Sequence, residues 1–131
     1  MTVDSPARRI VRRVGALCSA DARIRAALTY GSVPQGRDDE YADAEFWIFV
    51  DDPAFDAEAW IGEVASATYT VRNEFDAVVA FFPGLLRGEF HFRPGGAVAE
   101  VAEWPGRGAD IERMVLVDRT GELTRILAAL P

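Results

Sequence analysis

The 131-residue chain contains no lysine, so all fourteen of its basic residues are arginines. Without lysine it can form neither the phosphate-binding loop of P-loop NTPases nor a Schiff base with a substrate. A single cysteine, Cys18, excludes an internal disulfide framework and a cysteine-based zinc site. No apolar run is long enough to cross a membrane, and the acidic, polar start of the chain does not resemble a secretory signal. We therefore expect a cytoplasmic protein that does not act at a membrane.

Negative charge is in excess, since 21 acidic residues against 14 arginines give a net charge of −7 and a pI near 4.7. A polyanion needs a basic surface, so this balance argues against nucleic acid as a partner. Half of the residues are hydrophobic, and eight Phe and three Trp can build a substantial core. This length and composition are typical of one folded domain.

The periodicity of apolar residues predicts a mixed sheet packed between helices. Apolar positions at helical spacing predict helices over 5–19, 56–65 and 120–130. Alternating or short apolar runs predict strands over Ile24–Tyr30, Ala44–Val50, 68–75, 77–82, 88–93 and 114–117, whereas 94–108 reads as a loop. The predicted fold class is α+β, with a mixed β-sheet of about five strands flanked by helices.

A tight turn at Gly31 and Ser32 precedes a strand with two carboxylates, Asp43 and Glu45. Residues i and i+2 of a strand share one face, so these two side chains should project together. Adjacent carboxylates repel each other unless a cation lies between them, and Mg²⁺ prefers oxygen ligands. The turn offers backbone N–H groups and a hydroxyl, which are partners for phosphate. Together, these features favour a site for a metal-bound triphosphate.

A third acid, Glu89, lies on an otherwise apolar strand. If this strand pairs with Ala44–Val50, Glu89 lies next to Asp43 and Glu45. There it could ligate a metal or act as a general base on an acceptor hydroxyl. The combination of the turn, the paired carboxylates and the isolated acid favours the metal site.

Each of these signals also has an ordinary structural interpretation. Asp43 and Glu45 could form a solvated strand face. Glu89 could pair with Arg87 or Arg93. His91, on the same face as Glu89, is more typical of a packed or hydrogen-bonded histidine than of a ligand. A purely structural acidic α+β domain therefore stays an alternative.

The residues Gly31-Ser32, Gly36 and Asp43-Ala44-Glu45 resemble the motif of the nucleotidyltransferase superfamily related to DNA polymerase β. The similarity extends to the lincosamide nucleotidyltransferases of the larger, two-domain type, from about Ala22 to Leu123. It is carried by Tyr30-Gly31-Ser32, Glu45-Phe46-Trp47-Ile48-Phe49, Arg72-Asn73-Glu74-Phe75 and, most specifically, Leu86-Arg87-Gly88-Glu89-Phe90-His91-Phe92.

The resemblance implies an activity and a role for each site residue. Such enzymes move a nucleoside monophosphate from a nucleoside triphosphate to a hydroxyl of a lincosamide antibiotic. By this resemblance, Asp43 and Glu45 bind Mg²⁺, and Glu89 activates the hydroxyl of a small acceptor. Gly31 and Ser32 hold the triphosphate.

Two further expectations follow from comparison with that family. Its members carry a second, helical domain, whereas residues 1–131 are expected to form a single nucleotidyltransferase-like domain with no C-terminal helical domain. Those enzymes dimerise, and a symmetric partner can supply a second wall around the acceptor, so a homodimer is expected. A non-catalytic or partner-dependent module of the same fold, antitoxin-like or protein-modifying, is the alternative function.

Overall fold

The computed structural model describes residues 5–65, 69–73, 77–84 and 86–131. Its helices are α1 (Pro6–Ala20), α2 (Ala57–Val64), a 3-10 helix (Gly95–Glu103), α3 (Ile111–Met114) and α4 (Glu122–Ala129). Its strands are β1 (Ile24–Tyr30), β2 (Ala44–Val50), β3 (Tyr69–Arg72), β4 (Val78–Phe82), β5 (Leu86–Pro94) and β6 (Val115–Asp118). These six strands form one sheet in the order β3-β4-β5-β2-β1-β6.

The central strands β2 and β5 run parallel, and the other neighbouring strands of this sheet run antiparallel. A parallel pair requires a crossover connection, and here α2 and the β3–β4 pair lie between β2 and β5 in the chain. The N-terminal ends of β2 and β5 therefore meet at one edge of the sheet, where Glu45 and Glu89 are located.

Alternation along β2 divides the core into two layers. Phe46 and Ile48 are fully buried in the cluster that packs beneath α1 and α2. Trp47 and Phe49 face the other cluster, beneath the 3-10 helix and α4. This confirms the predicted two-sided strand. Phe46 also stacks on Phe90 of β5, with ring centroids 5.0 Å apart; replacing such a buried ring by alanine typically costs about 3–5 kcal/mol.

Helix α1 is anchored at both ends. Its N-cap Ser5 accepts a hydrogen bond from the backbone N–H of Arg8, with Pro6 at the first helical position. At the other end, the Arg119 guanidinium donates to the backbone oxygen of Cys18 at 3.2 Å. Burial raises the pKa of the Cys18 thiol to about 12, so Cys18 is a packing residue, not a nucleophile.

The α+β class and the mixed sheet flanked by helices are confirmed, with six strands in place of about five. The segment predicted as a loop over 94–108 contains the 3-10 helix Gly95–Glu103, which buries Val98 and Val101 against the sheet. The predicted strand 68–75 is observed as Tyr69–Arg72, while residues 68, 74 and 75 lie outside the described part of the chain. In that part of the chain, we find no helix with the length and apolar character needed to cross a bilayer.

Candidate functional site

The side chains of Glu45, Glu89 and His91 converge on one face of the sheet. In the β2–β5 register, Glu45 lies opposite Glu89, and Trp47 lies opposite His91. Each of the three converging residues offers one donor atom, and these atoms all lie within 4.8 Å of one another. Two carboxylate oxygens and one imidazole nitrogen are thus available to a single ion.

The His91 imidazole is fixed in place and nearly excluded from solvent. Its ring stacks on Trp47 with centroids 4.0 Å apart and 2° between the planes. His91 Nε2 lies 3.3 Å from Glu89 Oε1 and 3.6 Å from Glu45 Oε1. Nε2 is buried and has no hydrogen-bond partner among the residues that the structure describes. A buried polar atom usually has a partner, so an unpaired nitrogen beside two carboxylate oxygens fits a divalent cation.

Neighbouring polar groups hold the two glutamates. Thr29 Oγ1 donates a hydrogen bond to the backbone oxygen of Glu45 at 2.9 Å. Asn73 Nδ2 donates to Glu89 Oε1 at 3.2 Å, and the Asn73 side chain is held in turn by the backbone N–H of Ala77 at 3.0 Å. The end of β3 therefore contributes a residue that orients the Glu89 carboxylate.

Asp43 lies one residue before β2, and its carboxylate is bound by Arg87. The Arg87 Nη2 and Nε atoms lie 2.6 and 3.1 Å from Asp43 Oδ2. Asp43 is not a member of the three-residue cluster found in the described part of the chain. The other arginine considered for Glu89, Arg93, binds Glu100 at 2.9 Å. The structure thus brings Glu45 and Glu89 together, with Asp43 beside them in an ion pair.

The Gly31–Ser32 turn lies directly against the cluster. Gly31 and Gly36 adopt the left-handed region, with φ of +93° and +72°, where a side chain is strained. A Cβ on Gly31 would lie 3.8 Å from Glu45 Oε2, so the turn backbone approaches the carboxylate closely. The turn is closed by the Arg37 N–H, which donates to the Ser32 oxygen at 2.9 Å.

Two clefts with arginine walls flank this turn, with volumes of about 380 and 450 Å³. Both are lined by Pro34 and Arg113, one also by Arg37 and the other by Arg8. The closest approach of Arg113 to Asp110 is 4.0 Å. Arginine side chains therefore line both clefts beside the turn, with Arg8 paired to Asp38 and Arg113 near Asp110.

Asp38 fastens the segment between the turn and β2 to the start of α1. Its side chain is 1% exposed and lies 2.5 Å from Arg8 Nη2, and it also accepts a short hydrogen bond from the Ser5 hydroxyl. Burial by itself would raise the pKa of this carboxyl. The hydrogen bonds from Arg8 and Ser5 outweigh burial and hold the pKa below its usual value.

An aromatic cleft of about 190 Å³ opens beside Glu45. It is lined by Tyr30, Glu45, Trp47, Trp104 and Pro105. The Trp104 ring meets Tyr30 and Trp47 edge to face, with centroids 5.4 and 5.3 Å away. This places a rigid apolar wall next to a carboxylate, which suits a small organic molecule.

A larger cavity, of about 550 Å³, lies at the opposite ends of β2 and β5. Its lining includes Asp51, whose carboxylate binds Arg25 at 2.7 Å. Gly95 packs so closely on this ion pair that an added Cβ would lie 1.9 Å from Asp51 Oδ1. None of the predicted site residues lines this cavity.

Sequence reasoning missed three residues that the structure places in the site, namely Asn73, His91 as a possible ligand, and Trp104. Only His91 carried a usable signal, because it is the single histidine of the chain and lies two residues after Glu89 on a strand. Asn73 and Trp104 reach the site through tertiary packing from segments distant in sequence.

No protein-family model matches this chain, and no curated protein matches it. What the site does must therefore be inferred from its own residues and their arrangement.

Proposed function

We propose that this protein is a nucleotidyltransferase that uses a divalent metal to move a nucleoside monophosphate from a nucleoside triphosphate to a hydroxyl of a small acceptor. One observation carries the proposal: Glu45 and Glu89 face each other across β2 and β5, with the Gly31 backbone against Glu45. The resemblance of the turn and carboxylate motif to nucleotidyltransferases supports the same reaction.

The triphosphate is assigned to the Gly31–Ser32 turn. Backbone N–H groups of a tight turn and a serine hydroxyl are suitable donors to phosphate oxygens. Arg113 and Arg37, which line the cleft beside the turn, add positive charge where the β- and γ-phosphates would lie.

Magnesium is the metal expected from the sequence, with Asp43 and Glu45 as its ligands. When bound, the ion would neutralise the charge that develops on the triphosphate. Asp43 would have to exchange Arg87 for the ion, which is feasible because the two side chains are 43% and 48% exposed.

Glu89 acts as the general base. One of its carboxylate oxygens takes the proton from the acceptor hydroxyl. The hydroxyl oxygen then attacks the α-phosphorus and forms the new P–O bond. The bond between the α-phosphorus and its bridging oxygen breaks, and pyrophosphate leaves with that electron pair.

The acceptor is assigned to the aromatic cleft formed by Tyr30, Trp47, Trp104 and Pro105. A hydroxylated molecule with an apolar ring face would pack on the tryptophans and present its hydroxyl toward the carboxylates. A lincosamide antibiotic, the acceptor that the resemblance implies, has this combination of polar and apolar groups and is the first acceptor to test.

The test combines nucleotide binding with product formation. Wild-type protein is titrated with nucleoside triphosphates in the presence of Mg²⁺. It is then incubated with a lincosamide, while pyrophosphate release and the mass of the antibiotic are followed. Saturable binding that Asp43→Asn lowers, together with a mass increase of one nucleotide, is the expected result. Equally weak nucleotide binding by both proteins would rule the proposal out.

A non-catalytic or partner-dependent module that transfers nothing to small acceptors is the second candidate, favoured by the Arg87 ion pair that holds Asp43. It predicts saturable binding of nucleotide without pyrophosphate release, whichever small acceptor is offered. Transfer of labelled phosphate to a cellular protein would identify a protein-modifying version of the same site.

The expected homodimer and cytoplasmic location are part of the proposal. A dimer would give the aromatic cleft a second wall, and the cytoplasm supplies nucleoside triphosphates. Light scattering after size exclusion tests the dimer, and a monomer at every concentration tried would remove it.

A further inference from the structure

We infer that Glu45, Glu89 and His91 form a resident metal centre that prefers a cation with affinity for nitrogen, such as Zn²⁺ or Co²⁺, over Mg²⁺. The part of the inference that makes this metal the cofactor of nucleotidyl transfer rests on the proposed function. The part that makes these three residues a metal site does not depend on nucleotide.

The first reason is the state of His91 Nε2. His91 is 9% exposed, and its Nε2 atom is buried without a hydrogen-bond partner in the described part of the chain. Buried polar atoms usually have a partner, yet Nε2 lies 3.3 Å from Glu89 Oε1 and makes no hydrogen bond with it. An ion shared by the imidazole and the two carboxylates would give this nitrogen its partner.

The second reason is the spacing of the donor atoms. Two ligands about 2.1 Å from a tetrahedral ion lie roughly 3.4 Å apart, against about 3.0 Å for neighbouring ligands in an octahedral site. The distances from Nε2 to the Glu89 and Glu45 oxygens are 3.3 and 3.6 Å. Both distances are close to the separation of two ligands of one small divalent ion.

The third reason is the type and rigidity of the ligands. Magnesium is bound through oxygen, whereas imidazole is a good ligand for transition metals such as zinc. Stacking on Trp47 holds the imidazole plane, and Asn73 fixes the Glu89 carboxylate through Oε1. Such outer contacts orient ligands before the metal arrives. The second Glu89 oxygen can still serve the acceptor proton.

His91 is the only histidine in the chain, which makes the test direct. Tag-free, chelator-treated protein labelled with ¹⁵N is titrated with ZnCl₂, CoCl₂, MnCl₂ and MgCl₂ without nucleotide. One imidazole contributes one pair of nitrogen resonances. We expect Zn²⁺ to move the Nε2 resonance at a stoichiometry of one, and Mg²⁺ to leave it in place. Calorimetry should rank Zn²⁺ and Co²⁺ above Mn²⁺, with Mg²⁺ weakest.

Variants distinguish metal binding at this centre from metal binding at exposed acidic residues elsewhere. His91→Asn should lower the affinity for Zn²⁺ and Co²⁺ about 100-fold, and Glu45→Gln at least about 10-fold. Glu100→Gln is the matched control, since Glu100 is an exposed acid that pairs with Arg93, and it should bind like the wild type. Circular dichroism checks folding, and the spectrum of the wild-type imidazole decides the question even if a variant does not fold.

Three outcomes overturn the inference: no saturable binding of Zn²⁺ or Co²⁺, metal binding with an unmoved His91 resonance, or unchanged affinity in folded His91→Asn. Because no nucleotide is present, these outcomes leave the transfer proposal standing. Conversely, metal binding at His91 without nucleotide transfer would leave the metal centre standing and remove the reaction.

Discussion

Trp47 and His91 lie on neighbouring strands and stack nearly parallel, with ring centroids 4.0 Å apart. The indole restricts the orientation of the imidazole that points Nε2 toward two carboxylates. We predict that Trp47→Leu weakens Zn²⁺ binding about 10-fold, because the imidazole loses its fixed plane. Trp47→Phe, which keeps an aromatic face, should bind close to wild type in calorimetry. Equal affinities for the leucine and phenylalanine variants would contradict a positioning role for Trp47.

Glu89→Gln tests the general base. The amide cannot take a proton from the acceptor hydroxyl, so we expect kcat to fall about 10²- to 10⁴-fold while nucleotide affinity changes little. The assay measures pyrophosphate release at saturating metal, so that any weaker metal binding does not limit the rate. Glu100→Gln serves as the control, since that exposed acid pairs with Arg93 away from the cluster. A Glu89→Gln enzyme with wild-type turnover would exclude Glu89 as the base.

Asp43 and Arg87 can be separated by paired variants. Both residues are about half exposed, so Asp43→Asn and Arg87→Gln should each change the free energy of unfolding by less than about 1 kcal/mol. In Mg²⁺-dependent nucleotide binding they should differ. Asp43→Asn removes a proposed metal ligand and should weaken nucleotide binding strongly. Arg87→Gln releases Asp43 from its ion pair and should not weaken nucleotide binding. Equal effects in a nucleotide titration would mean that Asp43 acts only through its ion pair.

Gly31→Ala should disturb nucleotide binding beyond its cost in stability. A side chain at φ +93° costs about 1–2 kcal/mol in the free energy of unfolding. Gly121→Ala is the matched control, because Gly121 has φ +79° and open space around its Cβ position. Chemical unfolding should therefore show similar losses for both. Only Gly31→Ala should also lower the affinity for nucleoside triphosphate. A similar loss of nucleotide affinity in both variants would mean that the Gly31–Ser32 turn does not contribute to the nucleotide site.

We predict that the contribution of the Asp38 carboxylate to the free energy of unfolding is lost in acid. Its pKa is lower in the folded protein than in the unfolded chain, because hydrogen bonds from Arg8 and Ser5 outweigh the opposing effect of burial. The folded state therefore gains stability from this carboxylate above its unfolded pKa and loses that gain as pH falls through the folded pKa. Asp38→Asn should cost about 1–3 kcal/mol at neutral pH. The gap between variant and wild type, measured by urea unfolding, should narrow below pH 4, the region of ordinary aspartate titration. A gap independent of pH would show that the Asp38 charge does not contribute.

The sequence was sufficient to predict the features that depend on local periodicity. Alternation along Ala44–Val50 predicted that strand. The pairing of the Glu89 strand with β2, which the sequence offered only as a condition for Glu89 to join Glu45, is observed. The 3-10 helix was not predicted, because Pro and Gly residues interrupt the apolar pattern of its segment. This helix depends on the burial of Val98 and Val101 under α4 and not on a regular repeat of apolar residues. Side-chain contacts between distant segments could not be predicted from the sequence either. Asp43 lies just before β2 and pairs with Arg87, and Asn73 contacts Glu89 because β3 belongs to the same sheet.

The parallel pairing of β2 with β5 also has a consequence for the order of folding. Glu45 and Glu89 come together only when β2 and β5 pair, which closes the stretch of chain that contains α2, β3 and β4 into a loop. Contacts between residues so distant in sequence form slowly, because the entropy cost of closing the loop precedes the gain from the contacts. A partly folded chain therefore lacks the complete cluster of Glu45, Glu89 and His91, and a metal that bound this cluster selectively would stabilise the fully folded protein. The rate at which metal affinity appears during refolding would report directly on closure of the central strand pair.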